Sequence, residues 1–115
     1  MPEPYTNERV LEVIATGRPH VMAVLRPGPN PRADTSVPPF DHLRYHFALR
    51  DGGEVRLIGP MRDSPDIAGI IVFETADLDT AARLMDGDPG VANGNIVYEL
   101  TTWYALPGSL GASGA

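Results

Sequence analysis

The order in which strand-period and helix-period segments follow one another constrains this chain more than any single motif. Ile67 to Thr75, IAGIIVFET, is a β-branched apolar run too short for a helix and long enough for a strand. Glu54 to Ile58, EVRLI, is another, and the turn-rich link PMRDSPD between the two suits an antiparallel pair. Upstream, His20 to Leu25, HVMAVL, is closed by Pro27 and reads as a strand. Near the other end, Asn95 to Trp103, NIVYELTTW, alternates Ile96, Tyr98 and Leu100 against Val97, Glu99, Thr101 and Trp103, the period of a two-sided strand. Two helices separate these runs. One spans Asp41 to Arg50 and stops at Gly52 and Gly53. The other follows a capping Asp77, with Leu78, Ala81, Ala82 and Met85 spaced to form one stripe. The resulting order, β-α-β-β-α-β, predicts an α+β fold of ferredoxin-like type: a four-stranded antiparallel sheet with two helices on one face.

An extra helix near Asn7 to Thr16 precedes this unit. Thr6 can cap it, Val10, Leu11 and Ile14 form its stripe, and Gly17 with Pro19 ends it, so residues 1–18 read as a helical extension. Arg26 to Pro39, RPGPNPRADTSVPP, holds five prolines and reads as a loop, while Pro107 to Ala115, PGSLGASGA, has the composition of a flexible tail. No linker interrupts the rest, and 115 residues suit one domain over 1–115. The sheet has a second face, and Ile67, Ile71, Val72, Phe73, Val97 and Trp103, shared between its two sides, are too apolar to leave that face in water. A second copy packing sheet to sheet, helped by the N-terminal helix, would cover it, so a homodimer is expected.

Charge and composition remove several functions. A formal net charge of -6 gives no basic stripe for a nucleic-acid backbone or an anionic lipid surface. Without cysteine there is no disulfide, thiol nucleophile or thiolate metal site. The N-terminus, MPEPYTNERV, lacks the basic and apolar regions of a signal peptide, and no apolar stretch is long enough to span a bilayer. A cytoplasmic protein is expected, with neither membrane nor nucleic acid as partner.

Candidate chemistry gathers in FDHLRYHFALRDGG, Phe40 to Gly53, where His42 and His46 stand four residues apart. On a helical wheel both fall within the arc of Tyr45, Leu49, Leu43 and Phe47, opposite Arg44, Ala48 and Asp51, so both rings point toward the sheet or its edge. Three readings compete. The rings are core histidines hydrogen-bonded to carbonyls; or they share a metal, although no HExxH glutamate and no third ligand of matching spacing accompany them; or one of them moves protons with help from a carboxylate. Asp88, in DGDPGVANG, is a carboxylate far along the chain. Because Pro89 follows it, Asp88 also reads as the cap of a short helical turn.

These residues carry a family resemblance. HLRYHFALRDGGEVRLIGP, from His42 to Pro60, followed by a strand, a helix and DPGVANG, resembles the YciI-like (YCII-related) family, with its His-Leu helix start, Gly, Gly-Pro and later Asp-Pro at matching intervals. The likeness runs roughly from His20 to Trp103. Longer members are also similar in having an N-terminal helix, a loop like Pro27 to Asn30 and an ending like Trp103 to Gly108. What the resemblance implies is a dimeric α/β-barrel built on the ferredoxin-like unit, and a His-Asp active-site pair that falls on His42 and Asp88. A dehydrochlorinase acting on a chlorinated hydroquinone is among the family's few assigned activities, and fold kin include cofactor-free monooxygenases, lactone isomerases and ligand binders. Two departures stand out: Pro38 occupies the position where many short members carry an arginine, and Gly69 is followed by Ile70 instead of Ser.

The leading expectation is therefore a small cofactor-free enzyme moving a proton in an elimination, isomerisation or dehydrohalogenation of a small organic substrate. His42 is its acid or base and Asp88 the group that orients it, with no metal. Tyr45, His46 and Pro60 are expected to line the cavity, and Arg26, at the end of the first strand, to contact an anion. The alternatives are a non-catalytic ligand-binding or assembly module and a cofactor-independent oxygenase.

Overall fold

The computed structural model describes residues 4–108. Eight elements follow in order: α1 (Asn7–Ala15), β1 (Arg18–Pro27), α2 (Phe40–Asp51), β2 (Val55–Pro60), β3 (Gly69–Phe73), α3 (Leu78–Asp86), α4 (Pro89–Ala92) and β4 (Ile96–Ala105). The four strands form one antiparallel sheet in the order β2-β3-β1-β4. The chain leaves β1, passes through α2 and re-enters two places away at β2; β3, α3 and β4 repeat the move, so each crossover straddles one strand of the other.

Both ends of β1 run past the predicted bounds because β4 pairs with it along its whole length, from Arg18 opposite Ala105 to Pro27 opposite Ile96. Pro19 and Pro27 are tolerated there. They lie beyond Met22 to Leu25, the stretch paired with β3, so the side lacking an N–H has no strand to bond. Strand β3 is shorter than the apolar run from which it was predicted, and β2 carries a bulge between Val55 and Leu57.

Side-chain alternation decides what each face holds. Val21, Ala23 and Leu25 of β1, Ile71 and Phe73 of β3 and Val55 of β2 turn to the helix side, where Ala81 and Met85 of α3 complete the core. Tyr98 of β4 packs there too. Burial and then its 2.6 Å hydrogen bond to Asp86 push its hydroxyl up to about 12. Of the residues expected to be shared between faces, Ile71 and Phe73 thus belong to the core. The other face carries Met22 and Val24 of β1, Val72 of β3 and Val97 and Trp103 of β4, the last two 45% and 42% exposed.

Thr6 caps α1 by accepting from Arg9 N–H at 3.1 Å, as its sequence predicts. The helix itself buries none of its residues, and Leu11 is 66% exposed. The expectation that α1 helps to cover the second face is not met by its own chain. Gly17 joins α1 to β1 and leaves room for the Tyr104 ring, which a β-carbon there would strike. The predicted tail, Pro107 to Ala115, lies outside the described residues except for Pro107 and Gly108.

Candidate functional site

Asp88 is the hub of the site. It sits between α3 and α4 with extended backbone, and Pro89 follows at the first helical position, where its missing N–H costs nothing. One carboxylate oxygen, Oδ1, accepts from Gly90 N–H at 2.8 Å and caps α4. The other, Oδ2, faces α2, where His42 Nδ1 lies 2.6 Å away and His46 Nε2 2.8 Å away. Capping and histidine contact, which compete as readings of the sequence, are divided between the two oxygens of one side chain.

Asp88 is fully buried, an expensive place for a charge unless it is paired and hydrogen-bonded. Burial pushes its carboxyl up, but the hydrogen bonds from His42, His46 and the Gly90 N–H outweigh that and hold it well below the usual carboxylate range. An ionised carboxylate only accepts, so both rings donate to it: His42 through Nδ1–H and His46 through Nε2–H. The remaining nitrogens then differ in kind. His46 Nδ1 is buried with no partner among the described residues, whereas the His42 side chain is 14% exposed and borders two cavities.

The first cavity, about 390 Å³, is walled by Arg32, Asp41, His42, Asn93 and Asn95, with Pro38 and Pro39 at its edge. The second, about 230 Å³, is almost wholly apolar: Leu25, Leu43, Ile58, Pro60, Ile70 and Ile71 are on its walls, again with His42, Pro38 and Pro39. His42 is thus the titratable group common to both.

Of the residues predicted for the site, His42 and Asp88 meet, and Pro60 lines the apolar cavity. His46 does not line a cavity; it lies behind His42, its ring edge-on at 4.9 Å, and spends its one donor on Asp88. Tyr45 is also absent from the cavity walls. Its hydroxyl donates to Leu84 O at 2.6 Å and its ring stands against His46, so it ties α2 to α3, and burial, then the charges of Asp88 and Glu54, push its hydroxyl up. Arg26 is on the wrong side of the sheet. Along β1 it is Leu25 that turns into the apolar cavity, so its neighbour points away and pairs with Glu99 at 2.5 Å. Sequence reasoning missed the His46–Asp88 bond, although a four-residue step on a helix already places both rings on one face. It also missed Arg32, Asn93 and Asn95, which no periodicity marks because they sit in loops.

His42, His46 and Asp88 are also the set that could hold a metal, their donor atoms lying within 4.8 Å of one another. The 2.6 and 2.8 Å separations are hydrogen-bond lengths. Two ligands on one tetrahedral ion, each about 2.0 Å from it, stand about 3.3 Å apart. The donors as arranged suit shared protons better than a shared cation.

No curated protein and no solved structure matches the chain significantly. The model of the YCII-related domain matches residues 40–104, more than half of the chain. That span begins at α2, short of the expected start near His20, and it contains both histidines and Asp88. The chain belongs to the YCII-related family.

Proposed function

We propose that the protein is a small enzyme in which His42 moves a proton and Asp88 orients it, acting without a cofactor on a small organic substrate at the junction of the two cavities. The observation that carries this reading is the 2.6 Å bond from His42 Nδ1 to the buried Asp88 carboxylate. That bond assigns the ring's proton to Nδ1 and leaves Nε2 with a lone pair on a residue that borders open space. Nε2 takes a proton from an acidic C–H or O–H of the substrate. The carboxylate, already charged, offsets the positive charge that develops on the ring, and the proton is then returned to another substrate atom or accompanies a departing anion. Elimination, isomerisation and dehydrohalogenation all begin with this transfer.

The strand order, with its two straddling crossovers, supports a ferredoxin-like unit, and the apolar open face supports a homodimer of the dimeric α/β-barrel type within a single domain. Among the described residues no helix is long and apolar enough to cross a membrane. We read the protein as cytoplasmic.

The test is proton exchange. Small carbonyl and β-halogenated carbonyl compounds are incubated with the protein in D2O, and deuterium incorporation or halide release is followed by NMR. His42→Asn is expected to lower the rate by about 10²–10⁴-fold while the fold survives. An unchanged rate in that variant would refute the assignment. A non-catalytic ligand-binding module is the second reading, favoured by the full burial of His46 and Asp88, which makes them structural as well. It predicts binding near His42 with no exchange in any compound.

A further inference from the structure

We infer that the ligand of this site is a small carboxylate with an apolar body, its anionic group held by Arg32 and its body in the apolar cavity beside His42. This rests on the proposed site at His42 but not on catalysis there.

The two cavities differ in chemistry while sharing His42, Pro38 and Pro39. The apolar one, about 230 Å³, is larger than the roughly 150 Å³ that accommodates a benzene ring, so one ring or a branched chain of similar bulk fits. The other cavity is mixed, with a cation, Arg32, and two amides, Asn93 and Asn95, beside Phe40 and Pro89. Arg32 is braced for such a role. Its Nη1 donates to Val37 O at 2.7 Å and Asp34 O at 3.3 Å, both on its own loop, which leaves Nη2 and Nε without a hydrogen-bond partner among the described residues, although its charge also acts on the nearby Asp34 carboxylate. The carboxylate on the same wall, Asp41, is 79% exposed and paired with Arg44 at 2.7 Å. In a chain of net charge -6 an anion gains nothing from the general field, so a local guanidinium is what would select it. Arg32 precedes the family-matched span, so this contact is set by the Pro-rich loop of this chain.

The experiment is a binding series read by calorimetry and by the NMR signals of the His42 ring, with benzoate, benzamide and acetate as probes. Benzoate is expected to bind and to shift the His42 signals. Benzamide, lacking the charge, and acetate, lacking the body, are each expected to bind about tenfold or more weakly. Arg32→Gln is expected to weaken benzoate about tenfold and Arg32→Lys to restore part of the loss, with unchanged folding by circular dichroism. Equal affinity for benzoate and benzamide, no effect of Arg32→Gln, or no benzoate binding would each overturn the inference. A failure of proton exchange in the wild type, with binding intact, would instead refute catalysis alone.

Discussion

The two faces of the sheet are made from the same strands and the same kinds of residue, yet they lead different lives. On the helix side Ile71 and Phe73 are fully buried; Val72, one residue away, points to the other face and is buried among its neighbours there, but Val97 and Trp103 on that face remain about half exposed. The covered face also encloses a charge, Asp88, and supplies it with three N–H donors. The open face holds no such network among the described residues; its ion pairs, Arg26–Glu99 and Arg56–Glu74, sit in solvent, where each is worth little. Strand parity alone separates the two. Fold stability and the candidate site therefore belong to the covered face, and the proposed association to the open one.

Substitutions at matched positions test that division. Phe73→Ala is expected to cost about 3–5 kcal/mol in urea unfolding, because it leaves a cavity in the core, whereas Trp103→Ala at high dilution is expected to cost less than about 1 kcal/mol. Equal costs would mean that the open face is packed in the single chain.

Asp88→Asn ranks next, at about 3 kcal/mol, since it replaces a buried acceptor of three bonds by an amide that cannot serve both rings. Its pH dependence has a definite sign. Asp88 titrates lower folded than unfolded, so its contribution is complete above the ordinary carboxyl value of about 3.9 and is lost as pH falls through the folded value. Wild-type stability is expected to decline below about pH 4 with a component that the Asn variant lacks; parallel acid limbs in the two proteins would contradict the assignment.

Trp103→Lys tests the open face directly. The expected outcome is a fall from dimer to monomer mass in light scattering with little change in monomer unfolding. A monomeric wild type at high concentration would remove the face's proposed role. The smallest effect is expected from Leu11→Ser in α1, within about 0.5 kcal/mol for the single chain, because α1 buries none of its residues. A larger loss that appears only in the dimer would place α1 on the partner.

Much of this was legible in the chain. The element order was, because strand and helix periods differ and glycine and proline mark the stops at Gly52 and Pro27. Thr6, Asp77 and Asp88 were legible as caps, since capping is satisfied within three residues of sequence. The histidine pair was half legible: helical spacing set both rings on one face, but only the path of the chain through α3 brings Asp88 between them. Arg26 shows the other limit. It follows the cavity-lining Leu25 in β1 but points to the other face, where it pairs with Glu99, and which parity faces the helices is set by packing.

By itself, then, the sequence determined the periods, the stops and the caps, all consequences of interactions among near neighbours. Only the tertiary structure decided that Asp88 serves two histidines, that His46 is enclosed while His42 reaches open space, and that Arg32 rather than Arg26 lines a cavity with His42. Those outcomes depend on which distant segments share a face, and that is settled by burying apolar surface over the whole sheet and by the need to satisfy one buried charge.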